Sequence, residues 1–298
     1  LLGQGQAWRV AFLVVGLPGL FAALAGLRID DPGRGASEGH KAGQADRPQL
    51  ADYLGFFTNP SFLYNTAGMA AVTFATGAYA AWGATFYQRV RNLTAKQAGD
   101  WIGTLTALAG LFGIALGSWA ADRLLRLTRR AYLLLACFAV AIAIPFGLAG
   151  LLDPEPRSSL GMLFVAMVLM ASVLGPCNTV TANVVPANQR AAGYALSIFL
   201  IHLFGDISSP LLIGFLSDLF GKPRVAASWL GEIFADLGAS PILTPAGPTN
   251  LTVGMLSVIP ILALGALFFL IGSRHLPADQ ERARRLGNEA SSEEILRH

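Results

Sequence analysis

Residues 117–130 have the sequence GSWAADRLLRLTRR and join two long apolar blocks of the chain. Gly113 and Gly117 are four residues apart, a spacing that lets a neighbouring helix approach the backbone closely. Asp122 follows where the first apolar block ends, and four arginines come after it. A loop that only marks the cytoplasmic side of a membrane accounts for the arginines. It does not account for an aspartate and a glycine at this spacing.

The composition predicts an all-α membrane protein. Of 298 residues, 54% are hydrophobic and 13% are charged, whereas soluble domains carry about 25% charged residues. A helix needs about 20 consecutive apolar residues to cross a bilayer, and no strand-like alternation is sustained, so we expect helices, which satisfy their own backbone in lipid. The predicted spans are residues 8–27, 62–87, 101–121, 131–152, 159–183, 191–220 and 250–272.

The net charge of +3 does not indicate nucleic-acid binding, because the Lys and Arg residues lie in short loops between apolar blocks. These cations are twice as frequent on the side of the polar linker 28–61 as on the other side. That bias predicts that the linker and the C-terminus lie in the cytoplasm. We expect a multi-pass protein of the plasma (inner) membrane. Cys137 and Cys177 fall inside apolar blocks and indicate nothing about the redox compartment.

The 117–130 segment resembles a cytoplasmic loop of the major facilitator superfamily, in which a glycine precedes an Asp-Arg pair and a later Arg-Arg pair. The family's usual glycine after the Asp-Arg pair is Leu125 here. In that family the loop latches the cytoplasmic side in the outward-facing state. The resemblance implies this gate role for Gly117, Asp122, Arg123 and Arg130.

The resemblance also implies the organisation of the chain, as about seven of twelve transmembrane helices. Residues 1–27 match the sixth helix, 28–61 the cytoplasmic linker, 62–273 the C-terminal six-helix bundle and 274–298 a cytoplasmic tail; we expect five further helices before them. A seven-helix receptor is the alternative, but the linker follows the first span and the loop motif follows the third. We also expect a short interfacial helix within PQLADYLGFF, and a helix around 225–237 that either extends the preceding span or lies at the interface.

Two of the spans resemble the spinster-like members of this superfamily. TFATGAYAAWGATFYQR, residues 73–89, has Ala84 where that subfamily has proline. The resemblance implies a secondary transporter of lysophospholipid- or sphingolipid-like substrates, often coupled to protons; a transporter of another small organic substrate is the alternative. The other matching positions are Val184, Val185, Pro186, Arg190, Ala191, His202, Leu203, Gly205, Asp206, Ser209, Pro210, Ile213, Gly214, Ser217 and Asp218.

His202 and Asp206 are the most informative polar residues. They are four residues apart, so they share one helix face, and they lie near the middle of the block 191–220. An ionisable side chain at that depth costs about 2.5–3.5 kcal/mol unless it faces a partner or a watery cavity. Two interpretations stay open: a role in substrate binding or coupling, or a structural pair that holds the helix against its neighbour. Gly205 and Ser209–Pro210 are expected to bend the helix nearby.

Other polar residues inside the spans are candidates for the substrate cavity. Threonines often bond to their own helix backbone, so each has that alternative explanation. An asparagine hides its amide less easily, and Pro176 frees backbone carbonyls close to Asn178. Arg89 ends its span on the outer side, either as a snorkelling anchor or as a gate residue. The full set is His202, Asp206, Asn178, Asn183, Thr73, Thr76, Tyr79, Trp82, Thr106 and Arg89.

Other classes of function fit the sequence less well. An intramembrane enzyme using His202 and Asp206 is the main rival, but these two residues are too few to hold a metal; a pure scaffold is a second rival. No G-x-x-x-x-G-K motif is present, so transport would draw on gradients. We expect no catalytic residues, metal or cofactor. The expected partners are a lipid-like small-molecule substrate and membrane lipids, without nucleic acid, and the chain is expected to be a monomer.

Overall fold

The computed structural model describes residues 7–29, 50–186, 189–245 and 247–296. The chain divides into two units, residues 1–46 and 47–298. In the described part of the first unit, α1 (Ala7–Gly26) is a 20-residue helix with Pro18 inside it. Its apolar part, Phe12–Gly26, is shorter than the span predicted from the sequence.

The described part of the second unit is helical apart from one small hairpin, as the composition predicts. Its helices are α2 (Leu50–Phe56), α3 (Pro60–Arg89), α4 (Ala95–Leu125), α5 (Ala131–Leu152), α6 (Pro156–Ala171), α7 (Leu174–Val184), α8 (Arg190–Phe204), α9 (Ser209–Gly221), α10 (Pro223–Ala226), α11 (Trp229–Asp236), α12 (Leu251–Leu256) and α13 (Val258–Leu296), and its strands are β1 (Ile242–Thr244) and β2 (Gly247–Thr249).

Five helical segments of the described chain are long and apolar enough to cross a membrane, judged by length and composition. Helix α3 has 30 residues but is more polar, because Asn65, Thr66, Thr73 and Thr76 interrupt its apolar run. All seven predicted spans are therefore helical. Two of them, residues 8–27 and 62–87, are not among the five segments that are long and apolar enough to cross a membrane. The five segments are Ala95–Leu125, Ala131–Leu152, Pro156–Val184, Arg190–Gly221 and Leu251–Leu286.

Helix α3 lies at the centre of the second unit, in contact with α13, α8, α4, α7 and α9. Its start is well defined, since Asn59 caps it by accepting the Phe62 N–H at 3.0 Å and Pro60 occupies the first turn. Phe62 and Phe86 at its two ends are at most 1% exposed. The core of the unit is thus arranged around one long helix.

Three of the spanning segments are interrupted within their length. The interruptions lie between α6 and α7, between α8 and α9, and between α12 and α13. Pro176, Pro210 and Pro260 each fall in the first turn after an interruption, where a missing N–H costs nothing. In each of these segments, a proline therefore lies in the first turn of the helix that follows the interruption.

The segment between α9 and α12 forms a separate small structure. Lys222 has extended backbone, so α9 ends and α11 is not its continuation. Trp229 and Ile233 of α11 are exposed, as expected of an interfacial helix. The strands pair antiparallel, with Thr244 opposite Gly247, whose φ of +119° favours glycine.

Both polar ends of the predicted bundle have more structure than their composition indicates. Within the linker 28–61, residues 30–49 lie outside the described residues, and the last part forms α2 and the start of α3. At the other end, α13 runs through Pro277 to Leu296 instead of stopping near residue 273. Leu276 is fully buried, and Asp279 accepts the Ser61 N–H at 2.9 Å, so this part of the tail packs on the bundle.

Candidate functional site

The interruption between α8 and α9 is built around Gly205, which has φ −95° and ψ −108°. The Ile207 N–H donates to the His202 carbonyl at 3.1 Å, one residue further back than in a regular α-helix. A Cβ on Gly205 would overlap the Ile201 carbonyl and lie 2.8 Å from Cβ of Thr73. The weak point predicted near Gly205 and Pro210 coincides with this interruption, and the approach of α3 leaves no room for a Cβ at residue 205.

His202 and Asp206 form a pair across this interruption. Nδ1 of His202 lies 3.0 Å from Oδ1 and 3.1 Å from Oδ2 of Asp206. Their side chains are 52% and 38% exposed. Gly77 of α3 lies directly beneath, since a Cβ there would be 2.5 Å from Cβ of Asp206. The pair therefore shares one face, as predicted, and both side chains are partly exposed beside α3.

Three more candidates on α3 lie along the same interrupted helix. Thr73 contacts Gly205, as described above. Thr76 is exposed, and its hydroxyl donates to the Thr73 carbonyl at 3.2 Å. The indole N–H of Trp82 donates to the Pro210 carbonyl at 3.2 Å. The structure thus places Thr73 and Trp82 against the interrupted helix, whereas the hydrogen bond of Thr76 stays within α3.

Tyr79 is placed differently from this group. It is 2% exposed, and its hydroxyl lacks a hydrogen-bond partner among the described residues. That hydroxyl faces Gly147 of α5, 3.6 Å from where a Cβ of Gly147 would be. The sequence treats Tyr79 as a cavity residue, whereas the structure places it in the packed core.

The remaining candidates are dispersed. Asn178 and Asn183 are exposed on α7, and the Tyr194 hydroxyl of α8 donates to the Asn178 backbone carbonyl at 2.7 Å. The Thr106 hydroxyl donates to the Ile102 carbonyl of its own helix at 2.7 Å. Arg89 is exposed at the end of α3. Within the described residues, none of these side chains contacts His202 or Asp206 by a hydrogen bond.

Sequence reasoning missed a buried polar layer near the start of α3. The Asn65 amide donates to the Thr181 hydroxyl and to the Cys177 carbonyl, both at 3.1 Å. The Thr66 hydroxyl lies 3.1 Å from the Ser197 hydroxyl of α8. Thr66 and Thr73 are seven residues apart, a helical repeat that places both on the face toward α8. That spacing is the feature of the sequence from which the polar layer could have been predicted.

The predicted gate loop begins at a close helix contact. A Cβ on Gly117 would overlap the Ser172 carbonyl at the end of α6, and one on Gly113 would lie 2.6 Å from Cβ of Ala171. The predicted close approach is therefore confirmed. Asp122 and Arg130 are exposed, and the Arg123 guanidinium lies over the Trp119 ring at 5.1 Å.

The C-terminal ends of α3 and α5 are joined by Arg91. Its guanidinium donates to the Leu151 carbonyl at 2.6 Å and lies over the Phe86 ring at 5.1 Å. Burial lowers the pKa of Arg91. The pKa of Asp153 is also lowered, first by a hydrogen bond with Ser158, then by the Glu155 N–H and by the charge of Arg91. In the described residues, no three His, Cys, Asp or Glu side chains cluster as metal ligands would.

Comparison with known proteins gives consistent relatives. The sequence model of the Major Facilitator Superfamily matches residues 1–207. Protein spinster of Drosophila melanogaster is 29% identical over 224 residues, 72% of this chain and 37% of that protein. Spinster homolog 1 of Bos taurus is 30% identical over 255 residues, 78% and 46%. A sphingosine-1-phosphate transporter of Xenopus tropicalis is 28% identical over 271 residues, 84% and 48%.

Solved structures with the same fold include a bacterial homologue of the human lysosomal transporter Spinster, inward-facing and unoccupied. It has a TM-score of 0.66 and 22% identity over 91% of this chain and 60% of that chain. The inward-facing, occupied form has a TM-score of 0.54 and 24% identity over 93% and 58%. The chain spans about half the length of the curated relatives it matches. These relatives confirm the resemblance carried by residues 73–89 and 184–218.

Proposed function

Because this chain belongs to the major facilitator superfamily, we propose that it forms the second half of a secondary active transporter. The substrate is an amphipathic lysolipid or sphingolipid, moved by alternating access and coupled to protons. Members of this superfamily are transporters and not enzymes. One relative, the sphingosine-1-phosphate transporter of Xenopus tropicalis, supports the substrate class.

The observation that carries this proposal is the His202–Asp206 pair at the interrupted helix. Asp206 lies near the middle of the 32-residue segment Arg190–Gly221, where a charge is costly unless it faces a partner or water. Both side chains are partly exposed on the same side. Transporters of this kind place substrate and ion sites near the midplane, at interrupted helices. The pair has the position and the exposure that such a site requires.

The chemistry of the pair suits proton coupling. Histidine changes its charge between about pH 5 and pH 8, and Nδ1 of His202 is within hydrogen-bond distance of both Asp206 oxygens. A proton taken up by the imidazole strengthens its bond to the carboxylate. Release of that proton leaves the carboxylate available to a cationic group of the substrate. Thr73 and Trp82 contact the interrupted helix at Gly205 and at Pro210.

Transport by the purified full chain in proteoliposomes tests the proposal. Uptake of a labelled lysophospholipid and of labelled sphingosine phosphate is measured at about pH 6 and about pH 8, on either side of the range in which histidine titrates. His202→Ala and Asp206→Asn should each lower uptake per folded protein about tenfold, equivalent to about 1.4 kcal/mol, and flatten the pH profile. Asp218→Asn, an exposed carboxylate at the outer end of α9, is the matched control and should behave as wild type. Normal uptake with an intact pH profile in both variants would show a structural pair instead.

The cytoplasmic gate role of Gly117, Asp122, Arg123 and Arg130 is part of the same proposal. Asp122 is exposed and forms no ion pair within the part of the chain that the structure describes, so its charge is available to the other half of a transporter. Asp122→Asn should leave the melting temperature unchanged and slow uptake by weakening the closed cytoplasmic side. Uptake at the wild-type rate would make the loop a topology signal only.

We also propose that the C-terminus and the 117–130 loop face the cytoplasm. Thr128→Cys should then react with an impermeant thiol reagent only from inside, and Lys222→Cys only from outside. Cys137 and Cys177 are buried, so they contribute little background. The reverse labelling pattern would contradict the proposed orientation. It would not decide the transport proposal, which the uptake assay tests separately.

A further inference from the structure

Two neighbouring serines follow the interruption between α8 and α9, and their hydroxyl groups are placed differently. The Ser208 hydroxyl donates within its own turn, to the Phe204 carbonyl at 2.8 Å and to the Gly205 carbonyl at 3.0 Å. The Ser209 hydroxyl is fully buried and has no hydrogen-bond partner among the described residues. A buried hydroxyl without a partner costs free energy, so an arrangement in which this hydroxyl is bonded is favoured.

Ser209 lies beside Asp206 at the contact with α3. A Cβ on Gly77 of α3 would lie 2.5 Å from Cβ of Asp206 and 3.0 Å from Oγ of Ser209. Both atoms are therefore close to the same point on α3. The carboxylate oxygens of Asp206 lie two bonds beyond its Cβ, so a rotation of that side chain between its staggered positions can bring one oxygen to the Ser209 hydroxyl.

The surroundings favour the Asp206 carboxylate as the acceptor for Ser209. The Ser209 side chain is 0% exposed in the described chain, so neither water nor a further protein segment reaches it from outside. The backbone carbonyls inside the continuous helix α3 accept N–H groups of their own helix. The Gly205 carbonyl, one turn before Ser209, already accepts the N–H groups of Ser208 and Ser209 and the Ser208 hydroxyl.

His202 is the titratable group that faces Asp206 from the described elements around the interruption. The hydroxyl of Tyr79 on α3 faces Gly147 of α5 instead. Helices α7 and α12 and strand β2 contain no Asp, Glu, His, Lys or Arg, and α2 contacts Phe62 at the far end of α3. The other charged or titratable residues of α3, α8, α9 and α10 lie two or more helical turns away along the chain: Tyr64, Tyr87, Arg89, Arg190, Tyr194, Asp218 and Arg224.

We propose that Ser209 is a positioning residue for Asp206: its hydroxyl donates to the carboxylate when His202 is neutral. A protonated imidazole forms a charge-assisted bond with the carboxylate, and Nδ1 of His202 is within hydrogen-bond distance of both oxygens. Loss of that proton leaves the carboxylate charged and beside a weaker donor. The Ser209 hydroxyl then supplies a second bond. This inference rests on the proposed coupling role of the pair, and its first test does not need transport.

Thermal unfolding of the purified full chain in detergent, without substrate, is that first test. It is measured at about pH 6 and about pH 8, on either side of the range in which histidine titrates. Ser209→Ala should lower the melting temperature at the higher pH by about 2–4 °C, the shift that one hydrogen bond gives in a chain of this size. At the lower pH it should leave the melting temperature unchanged or raise it slightly, because only an unbonded hydroxyl is lost. Ser208→Ala is the matched control, and its effect should be the same at both pH values, since that hydroxyl bonds within its own turn.

Lysolipid uptake in proteoliposomes gives the second test. Without the serine donor the charged carboxylate is less stable, so the His202–Asp206 pair keeps its proton to higher pH. Ser209→Ala should therefore raise the midpoint of the pH profile by about one pH unit, a tenfold change in the equilibrium of proton release. Asp206→Asn removes the charged acceptor, and in that background Ser209→Ala should change the melting temperature equally at both pH values.

Two melting results would overturn the inference. An equal loss at both pH values in the Ser209→Ala variant would show that this hydroxyl bonds to α3 and only packs the helix. An unchanged melting temperature at both pH values would show that the hydroxyl has no partner in either state. Wild-type uptake that does not depend on pH would contradict the proposed coupling, whereas the melting temperatures would still decide whether Ser209 bonds to Asp206.

Discussion

Helix α4 and the α8–α9 pair cover nearly the same distance, with 31 residues in Ala95–Leu125 and 32 in Arg190–Gly221, but they are built differently. Helix α4 is continuous and starts at a complete capping box of Thr94 and Gln97. The α8–α9 pair is interrupted at Gly205, with the ionisable pair beside the interruption. Both rely on glycine for close packing. In α4, Gly113 and Gly117 lie at a close contact with α6, whereas Gly205 lies both at a close contact with α3 and at the interruption itself.

The comparison of α4 with the α8–α9 pair shows that glycine supports two different roles. Gly113 and Gly117 let an unbroken helix press against the carbonyl groups of α6, which fixes α4 as a rigid element. Gly205 lets an interrupted helix press against Thr73, and the interruption leaves its backbone free to adjust. A transporter that rocks needs both kinds of element. We therefore expect substitutions of Gly113 and Gly117 in α4 to affect mainly stability, and those at the α8–α9 interruption to affect mainly transport.

The largest expected effect is that of Gly117→Ala. The added Cβ would overlap the Ser172 backbone carbonyl, and backbone yields less readily than a side chain, so unfolding should become easier by about 3 kcal/mol or more. Thermal unfolding in detergent measures the change. Gly110→Ala is the matched control, because nothing lies within 4 Å of a Cβ there. Equal melting temperatures for the two variants would show that α4 is not held by this contact.

Gly205→Ala should come next. Its Cβ would overlap the Ile201 carbonyl and press on Thr73, but the interruption can shift, so the loss of stability should be about 1–3 kcal/mol. Uptake per folded protein should fall further than stability predicts. Gly214→Ala is the control on α9, where the nearest atom, Cζ2 of Trp82, is 3.4 Å away. If uptake per folded molecule stays normal, the interruption serves packing only. The expected difference between α4 and the α8–α9 pair in their effect on transport is then absent.

The positions of the helices were largely predictable from the sequence, because each apolar block is long and bounded by charge or proline. The close contact at Gly113 and Gly117 and the bend at Gly205 were also predictable, since glycine and proline act locally. The burial of Tyr79 was not. A membrane helix is apolar on its lipid side as well as its core side, so periodicity does not reveal which neighbour covers Tyr79.

The C-terminal segment shows a second limit. The apolar block ends near residue 272, and the charged residues after Arg274 predict a solvated tail, yet α13 continues to Leu296. The deciding contact is long-range: Asp279 accepts the N–H of Ser61 at the start of α3, 218 residues away in sequence. Such a carboxylate satisfies a free N–H at a helix N-terminus and suits its dipole. No local pattern around Asp279 indicates this partner.

Trp82→Phe should have a smaller effect, and it probes how α9 is held. The substitution keeps an aromatic ring and removes the hydrogen bond from the indole to the Pro210 carbonyl. Side-chain hydrogen bonds in membrane proteins contribute about 0.6 kcal/mol on average, so the melting temperature should fall slightly. Phe86→Leu, a change in the same helix away from α9, is the comparison for aromatic packing. A loss of transport without loss of stability would assign the indole to the substrate.

Thr106→Val should have the smallest effect, and it tests whether the polar residues of α4 differ from those of the α8–α9 pair. The Thr106 hydroxyl donates to the Ile102 carbonyl of its own helix at 2.7 Å, so it is satisfied without a partner on another helix. Valine keeps the shape, and Ile102 keeps its backbone partner, so stability should change by no more than about 0.5 kcal/mol. Uptake should equal that of the wild type at both pH values, in contrast to Asp206→Asn, which removes a charge from the interruption. Thr104→Val, at an exposed threonine two residues earlier on α4, controls for added surface hydrophobicity. If Thr106→Val alone lowers uptake while both variants melt normally, the face of α4 that carries Thr106 belongs to the substrate path, and α4 is more than a rigid support.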